Sequence, residues 1–250
     1  SYNLKVKARV SKILKTEQPE LVQIRNYQNF SAIIWKIVYD LGIPLVQTVN
    51  DYTSLCYKST MYRNGRNCNG QCIDCKVISL PRKWLSSYIN TVVGVSKFTL
   101  QKHLDANYFS TATSYVIHTS PPQVSESPLP SLKNKKITFG YIGRLHPSKG
   151  TLEIIRIFNL LSGQPNLMIA GEGEPDFEEK CRDEIKSNSI RLLGKVHPEH
   201  FFRQVDIIII PSLWHEPFPR VLIESYSFGR PVIATDTGGT SELIIEGETG

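Results

Sequence analysis

The 250-residue chain has no apolar run approaching the ~20 residues a helix needs to cross a bilayer, so no segment reads as a membrane span. It has no internal repeat, which excludes a repeat array. It has no low-complexity tract outside one short stretch near its middle. Acidic residues are scarce in the first half. Residues 1–119 carry 15 Lys/Arg against 6 Asp/Glu, a net of +9, whereas residues 120–250 carry 14 against 17, a net of −3. The basic half therefore has two readings. One is an anionic partner such as a membrane surface, an acidic glycan or a nucleic acid; the other is a merely solvated surface. With 40% hydrophobic and 21% charged residues, the composition is that of a globular protein, one large domain or two small ones.

The exceptional stretch is Thr119-Ser-Pro-Pro-Gln-Val-Ser-Glu-Ser-Pro-Leu-Pro-Ser131, with four prolines and four serines in 13 residues. Proline blocks regular helix and weakens strand pairing, so 119–131 reads as a linker between domains 1–118 and 132–250. Both flanks alternate strands and helices. Before the linker, helices are expected at 4–15, 30–41 and 97–105, and strands at 19–25, 43–49 and 91–95. Val6, Val10, Ile13 and Leu14 give the first helix an apolar stripe among lysines. It would pack on a sheet or lie on a membrane. After the linker, strands are expected at 136–142, 166–170, 190–193 and 205–211, and helices at 152–161 and 175–187. The alternation implies α/β domains with parallel sheets covered on both faces.

Glu216 and Glu224 stand eight apart in Glu-Pro-Phe-Pro-Arg-Val-Leu-Ile-Glu. The β-branched run 205–211 precedes them; Gly-Arg-Pro-Val-Ile-Ala-Thr and Gly238-Gly239 follow. Pro219 suits the first turn of a helix. A loop glutamate and a helix glutamate would then flank one helix N-terminus, whose free N–H groups and positive dipole favour a phosphate. Gly143-Arg-Leu-His-Pro-Ser-Lys-Gly150 likewise joins a strand to a helix. Arg144 offers a planar fork and Lys149 a point charge to a phosphate. Gly171-Glu-Gly173 is too short for a dinucleotide fingerprint and reads as a tight turn.

This constellation resembles the family 4 retaining glycosyltransferases, of GT-B fold. The resemblance implies two Rossmann-like domains with parallel sheets facing across a cleft, both incomplete here, as in the middle of a longer enzyme. It implies sugar transfer from a nucleotide diphosphate sugar, with UDP or GDP as the nucleotide, to a hydroxyl of a glycan or lipid-linked saccharide. In that family the first Glu faces the donor sugar and the second holds the ribose. Those roles fall on Glu216 and Glu224, with Phe218, Pro219, Arg220 and Val221 between them at the donor. Arg144 and Lys149 would hold the diphosphate and, with Glu216, carry catalysis. No cofactor would be required. His197 lies where the family contacts the base through backbone, so its side chain reads as structural or exposed.

Asn50, Asp51 and Tyr52 stand where many such enzymes read His-Asp-Tyr, which marks them as acceptor-side residues. Asn cannot serve as a general base near neutral pH, so proton transfer by this position is in question. Cys56, Cys68, Cys72 and Cys75 cluster in a segment rich in Asn, Gly, Arg and Lys. Their spacing suits a structural zinc, and free thiols, a labile disulfide or an iron–sulfur cluster are the other readings. Cys181 reads as packing. The expected setting is polysaccharide or lipopolysaccharide assembly in the cytoplasm, peripheral at the inner face of an anionic membrane, with no nucleic-acid partner. Two rivals are a non-catalytic scaffold, suggested by Asn50, and a metal-stabilised nucleic-acid-binding module, suggested by the basic half and the cysteines.

Overall fold

The computed structural model describes residues 4–28, 30–120, 122 and 136–250. Most of the expected linker, at 121 and 123–131, lies outside the described residues, as do 132–135. The chain divides into two compact units, one of Ser1–Arg63 with Asn67–His118 and one containing Thr119–Gly250.

In the first unit, α1 (Leu4–Glu17), β1 (Val22–Ile24), α2 (Ile33–Asp40) and β2 (Leu45–Val49) come first. A small hairpin of β3 (Tyr62–Arg63) and β4 (Arg66–Asn67) follows, then α3 (Ile73–Leu85), β5 (Thr91–Gly94), α4 (Lys97–Asp105) and β6 (Thr113–Val116). The parallel sheet has the order β1-β2-β5-β6. α1 lies against α2, and Ile13 on its apolar stripe remains half exposed. Ser96 caps α4, accepting from the Thr99 N–H at 3.1 Å. The core is aromatic and polar at once. Trp35 is fully buried, donates to Gln47 Oε1 at 2.8 Å and meets Tyr27 edge-on at 4.7 Å. The segment around the cysteines, rich in Asn, Gly, Arg and Lys, contains the hairpin and the 13-residue helix α3. Arg82 Nη1 reaching the Thr53 carbonyl at 2.6 Å, and Gln71 Nε2 reaching the Leu55 carbonyl at 2.8 Å, tie α3 down.

The second unit comprises β7 (Thr138–Ile142), α5 (Thr151–Leu160), β8 (Asn166–Ala170), α6 (Pro175–Glu184), β9 (Ile190–Gly194), α7 (Pro198–Gln204), β10 (Ile207–Ile210), α8 (Arg220–Ser227) and β11 (Val232–Ala234). All strand pairs are parallel, in the order β11-β10-β7-β8-β9. A strand covered on both faces must be apolar on both. β8 shows why: Leu167 and Ile169 enter the core beneath α5 and α6, and the alternate Met168 and Ala170 enter the one beneath α7 and α8. Cys181 is fully buried in the former, as expected of a packing residue. Asp206 locks β7, taking the Thr138 N–H on Oδ2 at 2.8 Å while its own N–H donates to the Thr138 carbonyl. Arg230 is buried and donates to the Phe202 carbonyl at 2.9 Å, and Phe228 stacks on Phe202 at 4.9 Å.

Candidate functional site

The chain runs β7, β8, β9 toward one edge of the second sheet, then returns to place β10 and β11 on the other side of β7. The order reverses between β7 and β10. Loops leaving the carboxyl ends of such neighbours diverge and leave a crevice, the usual ligand site of an open α/β sheet. A pocket of about 230 Å³ lies there. The loop after β7 contributes Gly143, Arg144 and Lys149; the loop after β10 contributes Ser212, Glu216, Phe218 and Pro219; α8 contributes Arg220 and Val221.

The two loops are fastened before any side chain acts. The Ser148 carbonyl accepts from Leu213 N–H at 2.8 Å and Trp214 N–H at 3.3 Å. Gly150 sits at φ +71, where a Cβ would fall 2.0 Å from the Pro211 carbonyl oxygen. Only glycine allows that approach. Gly239 N–H holds the Glu216 carbonyl at 2.7 Å from the turn after β11. Tyr141 OH donates to the Arg144 carbonyl at 2.8 Å, fixing the start of the first loop.

At the centre, Glu216 is 5% exposed, and three donors meet on its Oε1: Ser212 Oγ at 2.6 Å, Trp214 Nε1 at 2.8 Å and Lys149 Nζ. None of the three uses Oε2. Lys149 also lies 5.0 Å over the Trp214 ring, a favourable place for a cation. Arg144, by contrast, is largely exposed and reaches Glu174 at 3.4 Å. His146 Nδ1 accepts the Ser148 N–H, and burial, then Arg144 and Lys149, lower its pKa.

Of the residues named from sequence for the donor, Arg144, Lys149, Glu216, Phe218, Pro219, Arg220 and Val221 line this one pocket. Glu224 does not. It pairs with Arg220 on its own helix at 3.6 Å. Pro219 is the residue before the helix, with extended ψ of 100, rather than part of its first turn. Gly171–Gly173, expected as a tight turn, is instead extended backbone in which Gly173 bridges Leu145 in parallel and the Glu172 carbonyl accepts the Leu145 N–H at 2.9 Å. His197 is exposed and lies edge-on to His200.

In the first unit, Asn50 is exposed at the end of β2, and Asp51 Oδ1 accepts the Thr53 N–H at 2.7 Å. Tyr52, expected on the acceptor side, is 1% exposed and lies in the core of the first unit. A basic cavity of about 490 Å³, not anticipated from sequence, is lined by Lys76, Lys83, Lys102, Asn69 and Gln71. Its lysines come from α3 and α4. The sequence signal was the lysine spacing on α3, invisible while that segment read as a loop. His103 is also new. It is wholly buried, its Nδ1–H donates to the Thr99 carbonyl at 2.8 Å, and burial lowers its pKa to about 4. The cysteines gather beside the hairpin, and burial, reinforced by Cys72, raises Cys68 to about 11.

The fold is α/β with parallel sheets and is close to GT-B glycosyltransferase structures. A crystal structure of Anabaena HepE in complex with UDP superposes with a TM-score of 0.74 over 96% of this chain and 66% of that one, at 19% identity. HepE has also been solved with UDP-glucose. Residues 136–250 match the family described as Glycosyl transferases group 1. An uncharacterised 42.6 kDa protein from the cps region of Klebsiella pneumoniae is 28% identical over 97% of this chain and 64% of its own length. The lipopolysaccharide 1,2-N-acetylglucosaminetransferase of Salmonella typhimurium is 30% identical over 44% of this chain and 33% of its own length. The match thus spans 64% of the Klebsiella protein and about a third of the Salmonella one.

Proposed function

We propose that this protein is a glycosyltransferase of polysaccharide or lipopolysaccharide assembly. It takes a sugar from a nucleotide diphosphate sugar, with UDP the first nucleotide to test, and delivers it to a hydroxyl of a glycan or lipid-linked saccharide with retention of configuration. The observation that carries this reading is the crevice at the strand reversal, where Lys149 and Glu216 meet from two loops. The group 1 match covers that crevice, and HepE, which shares the fold, was solved with UDP and with UDP-glucose.

Arg144 and Lys149 bind the diphosphate. As the bond from the sugar C1 to the phosphate oxygen breaks, their charge stabilises the leaving group. Glu216 is held rigid by three donors on Oε1, so Oε2 is the oxygen offered to a sugar hydroxyl. Glu224, half a turn or more beyond the pocket wall, is assigned to the ribose. The acceptor oxygen forms its bond to C1 on the face the phosphate leaves, and its proton passes to the departing phosphate oxygen. Asn50, which cannot take a proton, is compatible with that route. Asn50 and Asp51 are assigned to the acceptor, and the basic cavity favours an acceptor with an anionic group.

Peripheral attachment to an anionic membrane belongs to the same reading. No helix among the described residues is long and apolar enough to cross a membrane. On α3, Ile73, Val77 and Trp84 are 82%, 68% and 68% exposed, spaced along one stripe beside Lys76 and Lys83. Such a helix suits an anionic interface. Trp84→Glu should reduce co-sedimentation with anionic vesicles; equal binding to neutral vesicles would remove this part.

Calorimetry with UDP, GDP and their sugars tests the donor assignment. A ligand at 100 times its Kd should raise stability by about 2.7 kcal/mol. NMR of the product anomer tests retention. Failure of every nucleotide diphosphate to bind the folded protein would overturn the reading.

A further inference from the structure

Four cysteines converge on one corner of the first unit, from three separate pieces of backbone. Cys56 ends the turn after β2, its N–H held by the Tyr52 carbonyl at 2.8 Å. Cys68 leaves the β3–β4 hairpin, its N–H held by the Met61 carbonyl at 2.8 Å. Cys72 is the residue that begins α3, and Cys75 lies in its first turn. Cys68 Sγ and Cys72 Sγ are 3.9 Å apart. The ligand atoms of Cys72, Asp74 and Cys75 all lie within 4.8 Å of one another, and, beyond the rise that burial causes, Cys56 lies near enough to Cys68 and Cys75 to raise both thiols electrostatically. All four are free thiols.

One sulfur spacing, Cys68 to Cys72, can be set against the geometry of each chemistry. A disulfide would bring two sulfurs to about 2.05 Å. Four thiolates around a tetrahedral zinc at about 2.3 Å stand roughly 3.8 Å from one another, which is the Cys68–Cys72 separation. We propose that Cys56, Cys68, Cys72 and Cys75 bind one zinc ion in a closed, structural four-thiolate centre.

The surroundings suit that charge. Zinc with four thiolates carries a net charge of about −2. Cys72 and Cys75 sit at the amino end of α3, where free N–H groups and the helix dipole favour anionic sulfur. Arg63 comes from the hairpin and pairs at 3.0 Å with Oδ2 of Asp74, two residues from Cys72, which places a cation beside the centre. Asp74 is already engaged, since its Oδ1 accepts the Cys75 N–H at 3.0 Å while Oδ2 holds Arg63. That leaves the sulfurs for the metal. Cys56 and Cys75 are buried, as ligands of a closed site are, and with four protein sulfurs no position stays open for a substrate. Each thiol gives its proton to solvent as its S–Zn bond forms. The ion then fastens the turn after β2, the hairpin and the start of α3 to one another.

The test is metal analysis of the untagged protein, purified without chelator and then dialysed with zinc alone. About one zinc per chain is expected, released in full by a mercurial thiol reagent. Cys68→Ser and Cys72→Ser should each lower the zinc content and the Tm, whereas Cys181→Ser should keep its zinc. If the serine variants fail to fold, cobalt replacement in the unaltered protein decides the matter. Intense visible bands with sulfur-to-cobalt charge transfer indicate a tetrahedral four-thiolate site. Less than about a tenth of an equivalent in folded protein after dialysis would overturn the proposal. So would disulfides among the four in the protein as isolated, or an oxygen-type octahedral cobalt spectrum.

Discussion

In the second unit the strand order reverses between β7 and β10, and the crevice opened there gathers a lysine and a glutamate from two different loops. In the first unit the described strands follow the order β1-β2-β5-β6 with no reversal. The carboxyl end of β2 there adjoins a space of only about 10 Å³. Its unusual chemistry lies elsewhere, in a buried histidine, a basic cavity and a knot of thiols. One unit thus positions charge by backbone: glycines and carbonyls hold the loops so that side chains arrive already fixed. The other holds its core and helix with side chains, through Trp35–Gln47 and Arg82–Thr53. Parallel α/β architecture alone does not make a site; the reversal does.

The sharpest way to break this comparison is to remove one cation from each unit. Lys149→Met should lower transfer by about 10²–10³-fold, the usual loss when a preorganised charge on a developing anion is deleted. It should also weaken nucleoside diphosphate binding more than nucleoside binding. Glu216→Gln frees Lys149, so diphosphate binding should hold or tighten while transfer falls. Lys36→Met, which removes an exposed pair to Asp40 on α2, should change stability by less than about 0.5 kcal/mol and leave transfer intact. Steady-state kinetics and calorimetry on the three variants decide this. Equal losses from Lys36→Met and Lys149→Met would end the distinction.

Acid should separate the units next. His103 is buried neutral with a pKa of about 4, against an ordinary 6.5. Its stabilising contribution is complete above pH 6.5. As pH falls toward 4 the unfolded chain takes up a proton the native one refuses, at a cost on the order of 3 kcal/mol. Hydrogen exchange at pH 7 and pH 4.5 should show β2 and β5 losing protection sooner than β7 and β8. His103→Leu should flatten the pH dependence, and an unchanged profile in that variant would refute the assignment.

A pair of glycines with the same dihedral angle isolates the backbone effect. Gly42, after α2, and Gly150 both have φ +71. A Cβ on Gly42 meets nothing within 4 Å, whereas on Gly150 it meets the Pro211 carbonyl at 2.0 Å. Gly42→Ala should cost only the left-handed conformation, about 1 kcal/mol. Gly150→Ala must also push apart the two loops of the crevice, so its cost should exceed that of Gly42→Ala by about 1 kcal/mol or more. Urea denaturation measures both. Equal costs would mean that the loops are not held as tightly as the carbonyl contact implies.

These differences explain what the sequence discloses. β8 is legible to the residue because four consecutive apolar side chains, Leu167 to Ala170, between turn signals admit one reading when both faces are covered. The loops bearing Arg144, Lys149 and Glu216 are legible because strand, glycine and proline fix where each begins. α3 is not legible. It starts beside Asn, Gly and Cys, carries Pro81 inside it, and exposes Ile73, Val77 and Trp84, so neither a buried stripe nor a clean cap announces it. Tyr52 misleads for the opposite reason. An acceptor-side role suggests an accessible tyrosine, yet its ring is packed within the first unit, a long-range outcome that no local window contains. The turning of Glu224 toward Arg220 is a rotamer choice at four-residue spacing, to which the eight-residue motif is blind.

The smallest expected effect concerns Asn50. It is exposed at the end of β2, so Asn50→Ala should leave Tm within the range of ordinary surface changes, about 0.5 kcal/mol. Nucleotide binding should be untouched, because the donor pocket is built wholly from the second unit. If the amide meets the acceptor, deleting one neutral hydrogen bond worth about 0.5–1.5 kcal/mol should raise the acceptor KM roughly two- to tenfold. kcat at saturating acceptor should change little, since the amide carries no proton in the reaction. Asn50→His adds a group that titrates near neutral pH. If the departing phosphate already takes the acceptor's proton, this variant should gain no rate and no new pH dependence between 6 and 8. A pH-dependent rise in kcat for Asn50→His would show instead that the position can host a base, and that the proton route through the phosphate is wrong.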